Sequence, residues 1–413
     1  MPMRIFGGLV VTPDGAREAD VVVSDGRIAA IEPPSSSGEV DARGCVVLPG
    51  GVDPHAHPLA DIVSATAAAG RGGTTTVLAF TAPRPGEAAS QAFARARDEL
   101  VPQASVEVQL HPSIWEPERL DRDELERLAR IGARSVKLFT AFPELGMVAT
   151  DRKLYETLRD ASRLGLLVMV HCEVSGAIEA LVDEALAVGR RDARAFAETR
   201  PPLVEEAEVE RVLALARLAD APVYLVHLSA AGSVELVREA RRRGQTVWAE
   251  ACTHYLVLDE SRYDGTDAAR FLVAPPLRAR ADVEALWDAV ADGTLDTIGS
   301  DHAEAQYRPD FPPGDFRSLP YGYRGIGVRV PLVLSEGTRR GIPPARLADL
   351  LAGAPARAFG LAPRKGALVP GADADLLLWD PERAWTIDDD SPFDGFEVVG
   401  DFIDVLVGGT RVS

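Results

Sequence analysis

The sequence predicts an α/β fold, a (β/α)8 barrel joined to a small β-sandwich domain built from both termini. Between about residues 46 and 357, continuous apolar runs of strand length alternate with longer amphipathic stretches, which is the pattern of repeated βα units. Both ends of the chain instead carry β-rich runs and turn signals without helical periodicity. We therefore expect the barrel in the middle of the chain and the sandwich at its ends.

The number of strands favours a closed barrel. Eight apolar runs follow one another, and eight parallel strands with intervening helices is the number that closes a barrel. A doubly wound open sheet is the alternative. The predicted strands cover residues 45–52, 75–80, 106–110, 135–139, 167–170, 223–226, 246–251 and 297–299. The clearest predicted helices cover residues 123–131, 153–164, 204–218 and 233–243.

The terminal segments predict the small domain. Asp25-Gly26 stands between two β-rich runs and is a strong hairpin signal. The other predicted β-rich segments cover residues 3–11 and 21–31, the latter with the hairpin turn inside it, and the predicted C-terminal strands cover residues 374–379 and 405–412. We expect residues 1–48 and 358–413 to form the small domain, and residues 49–357 to form the barrel.

Composition limits the possible partners and compartment. The 413 residues are 46% hydrophobic, which is ample for a large core. A net charge of −19 argues against nucleic acid or an anionic membrane as a partner. Three widely spaced cysteines form no disulfide framework, and neither a signal peptide nor an apolar stretch of membrane-spanning length is evident. We therefore expect a cytoplasmic protein.

The most informative motif is Asp53-Pro54-His55-Ala56-His57, which directly follows an apolar run. Residues two apart in a strand point to the same side, so His55 and His57 present their imidazoles together. Two neutral imidazoles on one face can hold a divalent cation, usually zinc. A pair of surface histidines beside a turn is the alternative interpretation.

Six of the seven histidines fall at or just beyond the ends of predicted strands, and Asp301 precedes one of them. In a barrel these ends meet on one face, so the residues would surround one pocket. The six are His55, His57, His171, His227, His254 and His302. The seventh, His111, ends the third strand and either lines the pocket or packs in the core.

Lys137 interrupts the apolar strand Ser135-Val136-Lys137-Leu138-Phe139, where an unpaired lysine is costly to bury. A side chain that extends from the strand end to solvent is one interpretation. Beside a ring of histidines, we expect instead that carbon dioxide converts the amine to a carbamate. The carbamate is an anionic ligand with two oxygens that can bridge two cations.

These motifs recur in one family's order along nearly the whole chain, which resembles the cyclic amidohydrolases of the amidohydrolase superfamily: hydantoinases, dihydropyrimidinases, allantoinases and dihydroorotases. The matching segments are residues 49–57, Gly72-Gly73-Thr74-Thr75-Thr76, Lys137-Leu138-Phe139, Val170-His171-Cys172-Glu173, Val226-His227-Leu228-Ser229, Ala274-Pro275-Pro276-Leu277-Arg278, Gly299-Ser300-Asp301-His302, Arg364-Lys365-Gly366 and residues 371–376.

The resemblance implies a hydrolase of carbon–nitrogen bonds in cyclic amides, imides or ureides, with two divalent metal ions, zinc being expected. His55, His57, Lys137 and Asp301 would hold one metal, and Lys137, His171 and His227 the other. A metal-bridging hydroxide would attack the ring carbonyl, and Asp301 would pass its proton to the leaving nitrogen. Relatives usually form dimers or tetramers, so we expect a homo-oligomer. The expected small-molecule partner is the substrate, a cyclic amide.

The residues expected to read the substrate depart from the family patterns. Phe142 stands where hydantoinase-like members usually place an oxyanion-binding tyrosine, so Tyr321, Tyr323 or a metal alone would have to substitute. Leu59 replaces the arginine typical of dihydroorotases. His254 and Ala274 lie in segments that resemble allantoinases more closely.

The departures predict a non-standard substrate, with Arg324 available for an acidic group. A solvated loop arginine is the alternative interpretation of Arg324. Allantoinase or dihydroorotase activity is the alternative function. A catalytically silent scaffold is a third possibility, which the retention of all six metal ligands disfavours.

Overall fold

The computed structural model describes residues 2–304, 315–317 and 322–412. Within them, the strands are β1 (Met3–Thr12), β2 (Gly15–Ser24), β3 (Arg27–Glu32), β4 (Val40–Asp41), β5 (Val46–Pro49), β6 (Gly51–Ala56), β7 (Thr74–Phe80), β8 (Glu107–His111), β9 (Ser135–Phe139), β10 (Leu167–His171), β11 (Val223–Leu225), β12 (Val247–Cys252), β13 (Thr297–Gly299), β14 (Leu376–Thr386), β15 (Glu397–Val407) and β16 (Thr410–Arg411).

The helices alternate with the central strands. They are α1 (Ile62–Arg71), α2 (Ala89–Arg95), α3 (Arg122–Arg130), α4 (Asp151–Arg163), α5 (Ser175–Ala187), α6 (Ala193–Glu198), α7 (Pro202–Ala219), α8 (Ala231–Arg242), α9 (Thr253–Val257), α10 (Arg280–Asp292), α11 (Arg329–Arg339), α12 (Pro344–Ala348) and α13 (Ala354–Ala358). All four helices predicted from periodicity are present, as α3, α4, α7 and α8.

Strands β6 to β13 close into an eight-stranded parallel barrel. They form two arcs, β6 to β8 and β9 to β13, which backbone hydrogen bonds join at two seams. At one seam the amide of Lys137 donates to Pro112 O at 2.8 Å. At the other, the amide of Asp301 donates to His55 O at 2.9 Å. The barrel prediction is therefore confirmed, and the open sheet is excluded.

The first predicted strand, residues 45–52, is wrong as a single element. The chain leaves β5 at Pro49, turns at Gly50 and enters the barrel as β6. A Cβ on Gly50 would lie 2.3 Å from Thr75 Oγ1, so only glycine fits where the backbone crosses. Both halves of the run are buried, and no polar residue marks the crossover.

The terminal strands form one sheet in the order β16-β15-β14-β5-β1-β2-β3, with β4 beside β1. The turn between β2 and β3 reaches the opposite end of the sheet, because Ala374 N donates to Gly26 O at 2.9 Å. The sheet therefore folds back on itself around its own apolar core, as a β-sandwich. Asp25 and Gly26 have φ angles of 52° and 74°, which confirms the predicted hairpin turn.

The predicted strand over residues 405–412 is wrong as one element, because it contains the end of β15, a Gly408-Gly409 turn and β16. Assignment of residues 1–48 and 358–413 to one domain and residues 49–357 to another stays a prediction. No helix in the described part of the chain has the length and apolarity to cross a membrane.

The barrel interior is filled by apolar side chains and is open at the carboxyl ends of the strands. Met169, Tyr224 and Phe80 pack inside the barrel against Phe359, which follows α13. The Phe359 ring lies 5.1 Å from the Tyr224 ring and 4.5 Å from that of His111. This apolar floor leaves the carboxyl ends of the strands facing a cavity, where barrel enzymes place their chemistry.

Candidate metal centre

Four imidazoles form a continuous arc at the carboxyl ends of strands β6, β10 and β11. The ring of His55 lies 5.5 Å from that of His57 and 5.3 Å from that of His227. The ring of His227 lies 4.5 Å from that of His171. All four rings line one cavity of about 410 Å³. Four of the six histidines predicted to surround one pocket therefore do so, whereas His254 and His302 are buried and do not line it.

Asp301 brings a carboxylate to this arc. Its Oδ1 lies 3.2 Å from His55 Nε2 and 3.4 Å from His57 Nε2. Ligand atoms from His55, His57 and Asp301 all lie within 4.8 Å of one another. Imidazole nitrogens and a carboxylate oxygen at this separation suit zinc and other divalent transition metals, so the donor set fits a divalent cation.

Lys137 lies on β9 beside the histidines and is 1% exposed. Its Nζ is 5.2 Å from the ring centre of Phe80 and 5.3 Å from that of Phe139. No described residue forms a hydrogen bond or ion pair with Nζ. Burial lowers the pKa of Lys137 to about 8, although Glu250 and Asp301 oppose the shift. Near neutral pH, a fraction of the amine is therefore uncharged and nucleophilic.

The charge balance of the site favours a cation. Burial by itself lowers the pKa of His55, but the carboxylates of Glu250 and Asp301 outweigh burial and raise it to about 9. The buried carboxylates thus hold a proton on His55 near neutral pH. A divalent cation would take the place of that proton, because a ligating imidazole must be neutral.

Glu250 anchors two of the histidines from behind. Its Oε1 accepts a hydrogen bond from His55 Nδ1 at 2.6 Å and from the amide of His227 at 3.0 Å. Its Oε2 accepts from Tyr224 Oη at 2.7 Å. This arrangement turns Nε2 of His55 toward the cavity, and a carboxylate behind a ligating histidine fixes the ring and raises its basicity.

Glu173 has the equivalent place behind His171, with Oε2 2.7 Å from His171 Nε2. Sequence reasoning assigned neither Glu173 nor Glu250 a function. A signal existed for Glu250, since it interrupts the apolar strand β12 in the same way that Lys137 interrupts β9. A buried charge in such a strand needs a partner.

Backbone strain is concentrated at the same site. His227 and Asp301 have φ angles of 40° and 48°, a backbone conformation that residues other than glycine seldom adopt. Gly299, two residues before Asp301, must lack a side chain, because its Cβ would lie 2.7 Å from His55 Cβ. The fold therefore holds the strand ends in geometries that local preference does not explain.

The remaining wall of the cavity is largely apolar. Of the predicted substrate residues, Phe142 and Ala274 line it. Sequence reasoning missed several apolar lining residues. Phe80 and Phe139 are the last residues of β7 and β9, whereas Ala60, Trp115, Leu145 and Met147 lie outside the strands, where no alternation sets the direction of a side chain.

Three other predicted substrate residues are not among those that line the cavity. His254 is fully buried, with its ring centre 4.1 Å from that of Tyr255 and 4.7 Å from that of Tyr323. Tyr323 Oη donates to Phe271 O at 2.6 Å. Arg324 forms ion pairs with Glu304 and Asp390. Contact with a substrate in this cavity is therefore not supported for these side chains.

Two further predictions have different outcomes. Tyr321 lies outside the described residues. His111 packs in the core, where its Nε2 is 3.2 Å from Pro54 O and its ring is 5.0 Å from that of Phe80. Burial lowers the pKa of His111 to about 3, so it stays neutral. Of the two interpretations of His111, packing is confirmed.

A closed (β/α)8 barrel with imidazoles, a lysine and a carboxylate around its mouth defines a metal-dependent hydrolase. The model of the amidohydrolase family matches residues 46–412. The chain is 37% identical to a D-hydantoinase of Geobacillus stearothermophilus, and the match covers 100% of this chain and 93% of that protein. It is 35% identical to a D-hydantoinase of Ralstonia pickettii, and that match covers 99% of this chain and 94% of that protein.

Comparison of structures agrees with comparison of sequences. The crystal structure of a dihydropyrimidinase from Brevibacillus agri matches with a TM-score of 0.91 at 34% identity, over 100% of this chain and 95% of that one. The chain belongs to the amidohydrolase family. More narrowly, it is a cyclic amidohydrolase, a hydrolase that depends on divalent metal and opens cyclic amides.

Replacement of Glu250 by glutamine is expected to weaken metal affinity about 10- to 100-fold, the usual effect of removing a carboxylate behind a ligating histidine. The neutral amide no longer offers His55 Nδ1 an anionic acceptor. Competition with a chelator, followed by metal analysis, measures the change. Glu208→Gln is the matched control, because Glu208 is a buried glutamate on α7 that is hydrogen-bonded to Arg211. Equal affinity in the Glu250 variant and the wild type would contradict the prediction.

Proposed function

We propose that this chain hydrolyses cyclic ureides of the hydantoin and dihydropyrimidine type, with a non-standard ring substituent. The observation that carries the proposal is the convergence of all six predicted ligands on one cavity. Relatives named D-hydantoinase and dihydropyrimidinase over nearly their whole length support the substrate class. Water adds to the ring carbonyl, the ring C–N bond breaks, and the product is an open ureido acid.

Each residue has a proposed role. One cation would be held by His55, His57, Lys137 and Asp301, and a second by Lys137, His171 and His227, all of which line the cavity. The expected metal is zinc, and Lys137 carries carbon dioxide as a carbamate. When bound, the metals polarise the carbonyl and lower the pKa of water. Carbamate formation also removes the ammonium charge that would otherwise repel the cations.

Asp301 is the proposed proton carrier. Its carboxylate lies beside His55 and His57 and lines the cavity, so it can reach both attacking water and the leaving nitrogen. Burial favours the protonated form, but the charge and hydrogen bonds of the two histidines lower the pKa of Asp301 well below its ordinary value. The carboxylate is therefore ionised and has an oxygen available for the proton of water, which it would pass to the ring nitrogen as the C–N bond breaks.

The apolar wall supports a substituted ring rather than allantoin or dihydroorotate. Leu59 lines the cavity where a dihydroorotase would present an arginine. Phe142 lines it as well, and a phenyl ring donates no hydrogen bond to an oxyanion. Oxyanion stabilisation is therefore assigned to the metals.

Turnover of a substrate panel tests the proposal. The zinc- and bicarbonate-loaded protein is assayed with hydantoin, 5-substituted hydantoins, dihydrouracil, allantoin, dihydroorotate and a cyclic imide. We expect the highest kcat/KM for a substituted hydantoin or dihydropyrimidine. Preference for allantoin or dihydroorotate would support the alternative function. Less than one metal per chain with no turnover would support a silent scaffold.

A dimer or tetramer in the cytoplasm is also proposed, and light scattering tests the assembly.

A further inference from the structure

A second cavity adjoins the metal centre. It has a volume of about 290 Å³ and lies between the segments that follow β7 and β8. It shares Ser113, Trp115 and Leu145 with the catalytic cavity. We call it the side pocket, lined by residues 83–85, 87–89, 113–116, 119–120, 124, 127 and 145. The two cavities are therefore adjacent, and a group attached to a ring at the metal centre would reach the side pocket past these three residues.

The neck between the two cavities is apolar. Trp115 is half-buried, and Leu145 is 59% exposed although it is a large apolar side chain. An apolar part of a ligand that covered Leu145 would remove this exposed apolar surface from water, which is favourable. The neck therefore suits the methylene chain of a ring substituent.

The side pocket is lined by three arginines and three glutamates, but the pairing leaves one arginine over, because Glu87 pairs with Arg95 from outside the lining. Its three glutamates are paired, because Glu116 binds Arg119, Glu124 binds Arg127 at 2.7 Å, and Glu87 binds Arg95 at 2.9 Å. Arg84 is the remaining cation of the lining. Its guanidinium forms no hydrogen bond or ion pair with any residue that the structure describes. Arg84 is an exposed residue whose charge acts on the nearby Glu87, but its guanidinium has no direct carboxylate partner among the described residues, so it can bind an anion.

We propose that the substrates of this chain are cyclic ureides whose ring substituent ends in a carboxylate, which Arg84 binds in the side pocket. The inference rests on the proposed function and narrows its substrate class. It also moves acid recognition away from Arg324, which Glu304 and Asp390 already hold outside the cavity lining. A guanidinium can donate two parallel hydrogen bonds to a carboxylate, which an arginine already paired with a glutamate cannot offer as freely.

The experiment compares matched substrates. Hydantoins with a carboxyalkyl tail at C5 are assayed beside their carbamoylalkyl counterparts, which have the same shape without the charge. We expect wild-type kcat/KM to favour the carboxylate about tenfold at one of the tail lengths, mainly through KM, and salt to weaken the preference. In Arg84→Gln the preference should disappear, with hydrolysis of unsubstituted hydantoin unchanged.

Arg119→Gln is the matched control, since Arg119 lines the same pocket but is paired with Glu116. It should keep most of the preference. Equal kcat/KM for both tails in the wild type, or an unchanged preference in Arg84→Gln, would overturn the inference while leaving the proposed function standing. Absence of turnover with every cyclic ureide, neutral ones included, would instead overturn the proposed function.

Discussion

Lys137→Ala is expected to lose activity by about 10³-fold or more, with loss of bound metal. Lys137 lies among the four histidines of the cavity, and its amine has no anionic partner at hydrogen-bonding distance among the described residues. With the amine carboxylated, its two oxygens would join both proposed cations, so alanine removes a ligand from each. Hydrolysis of a 5-substituted hydantoin and metal analysis of the purified protein measure the two effects.

Chemical rescue separates a lost ligand from a damaged fold. Short carboxylic acids fit the space that the side chain leaves and supply the missing oxygens, so they should restore part of the activity of Lys137→Ala. Lys153→Ala is the matched control, because Lys153 Nζ donates to Leu120 O on the outside of the barrel. Wild-type activity in Lys137→Ala without added acid would show that the bridging role is wrong.

The placement of the strand-end side chains around one cavity was predictable, because it depends on periodicity and topology. Alternation along β9 sets the side chain of Lys137 toward the barrel interior, and parallel strands bring His171 and His227 to the same end. These facts follow from short-range pattern and from the closure of eight strands. The convergence of these residues on one cavity was therefore predictable from the sequence, whereas their assignment as metal ligands came from the family resemblance and stays a prediction.

The crossover at Gly50 was not predictable in the same way. The apolar run from Cys45 to Val52 satisfies burial in either sheet, and hydrophobicity carries no mark of which sheet buries which half. The reason for the break is a tertiary contact, the close approach of Gly50 to Thr75. A local pattern does not contain that information.

Substrate residues were the least predictable part of the site. Beyond the last residue of a strand, alternation no longer fixes where a side chain points, so position after a strand end did not place His254 or Arg324 on the cavity wall. Loops from elsewhere supplied the wall instead, as with Trp115 and Leu145. Ion pairs such as Arg324 with Glu304 join residues whose proximity only the folded chain defines.

Asp301→Asn is expected to lower kcat about 10³-fold, within the range that a positioned proton carrier contributes, while KM changes little. Asparagine keeps an oxygen that can face a cation but cannot take up a proton in this role. It also tolerates the positive φ of 48° at this position, so the backbone should remain in place. Metal content near the wild-type value is therefore expected together with the loss of turnover.

Steady-state kinetics with a 5-substituted hydantoin, run beside metal analysis, tests this combination. Asp296→Asn is the matched control, because Asp296 precedes β13 at the opposite end of the strand and accepts a hydrogen bond from Ala249 N at 2.8 Å. A wild-type kcat in Asp301→Asn would contradict the proton-carrier role. Loss of metal in proportion to loss of activity would assign Asp301 to metal binding alone, because turnover per bound metal would then be unchanged.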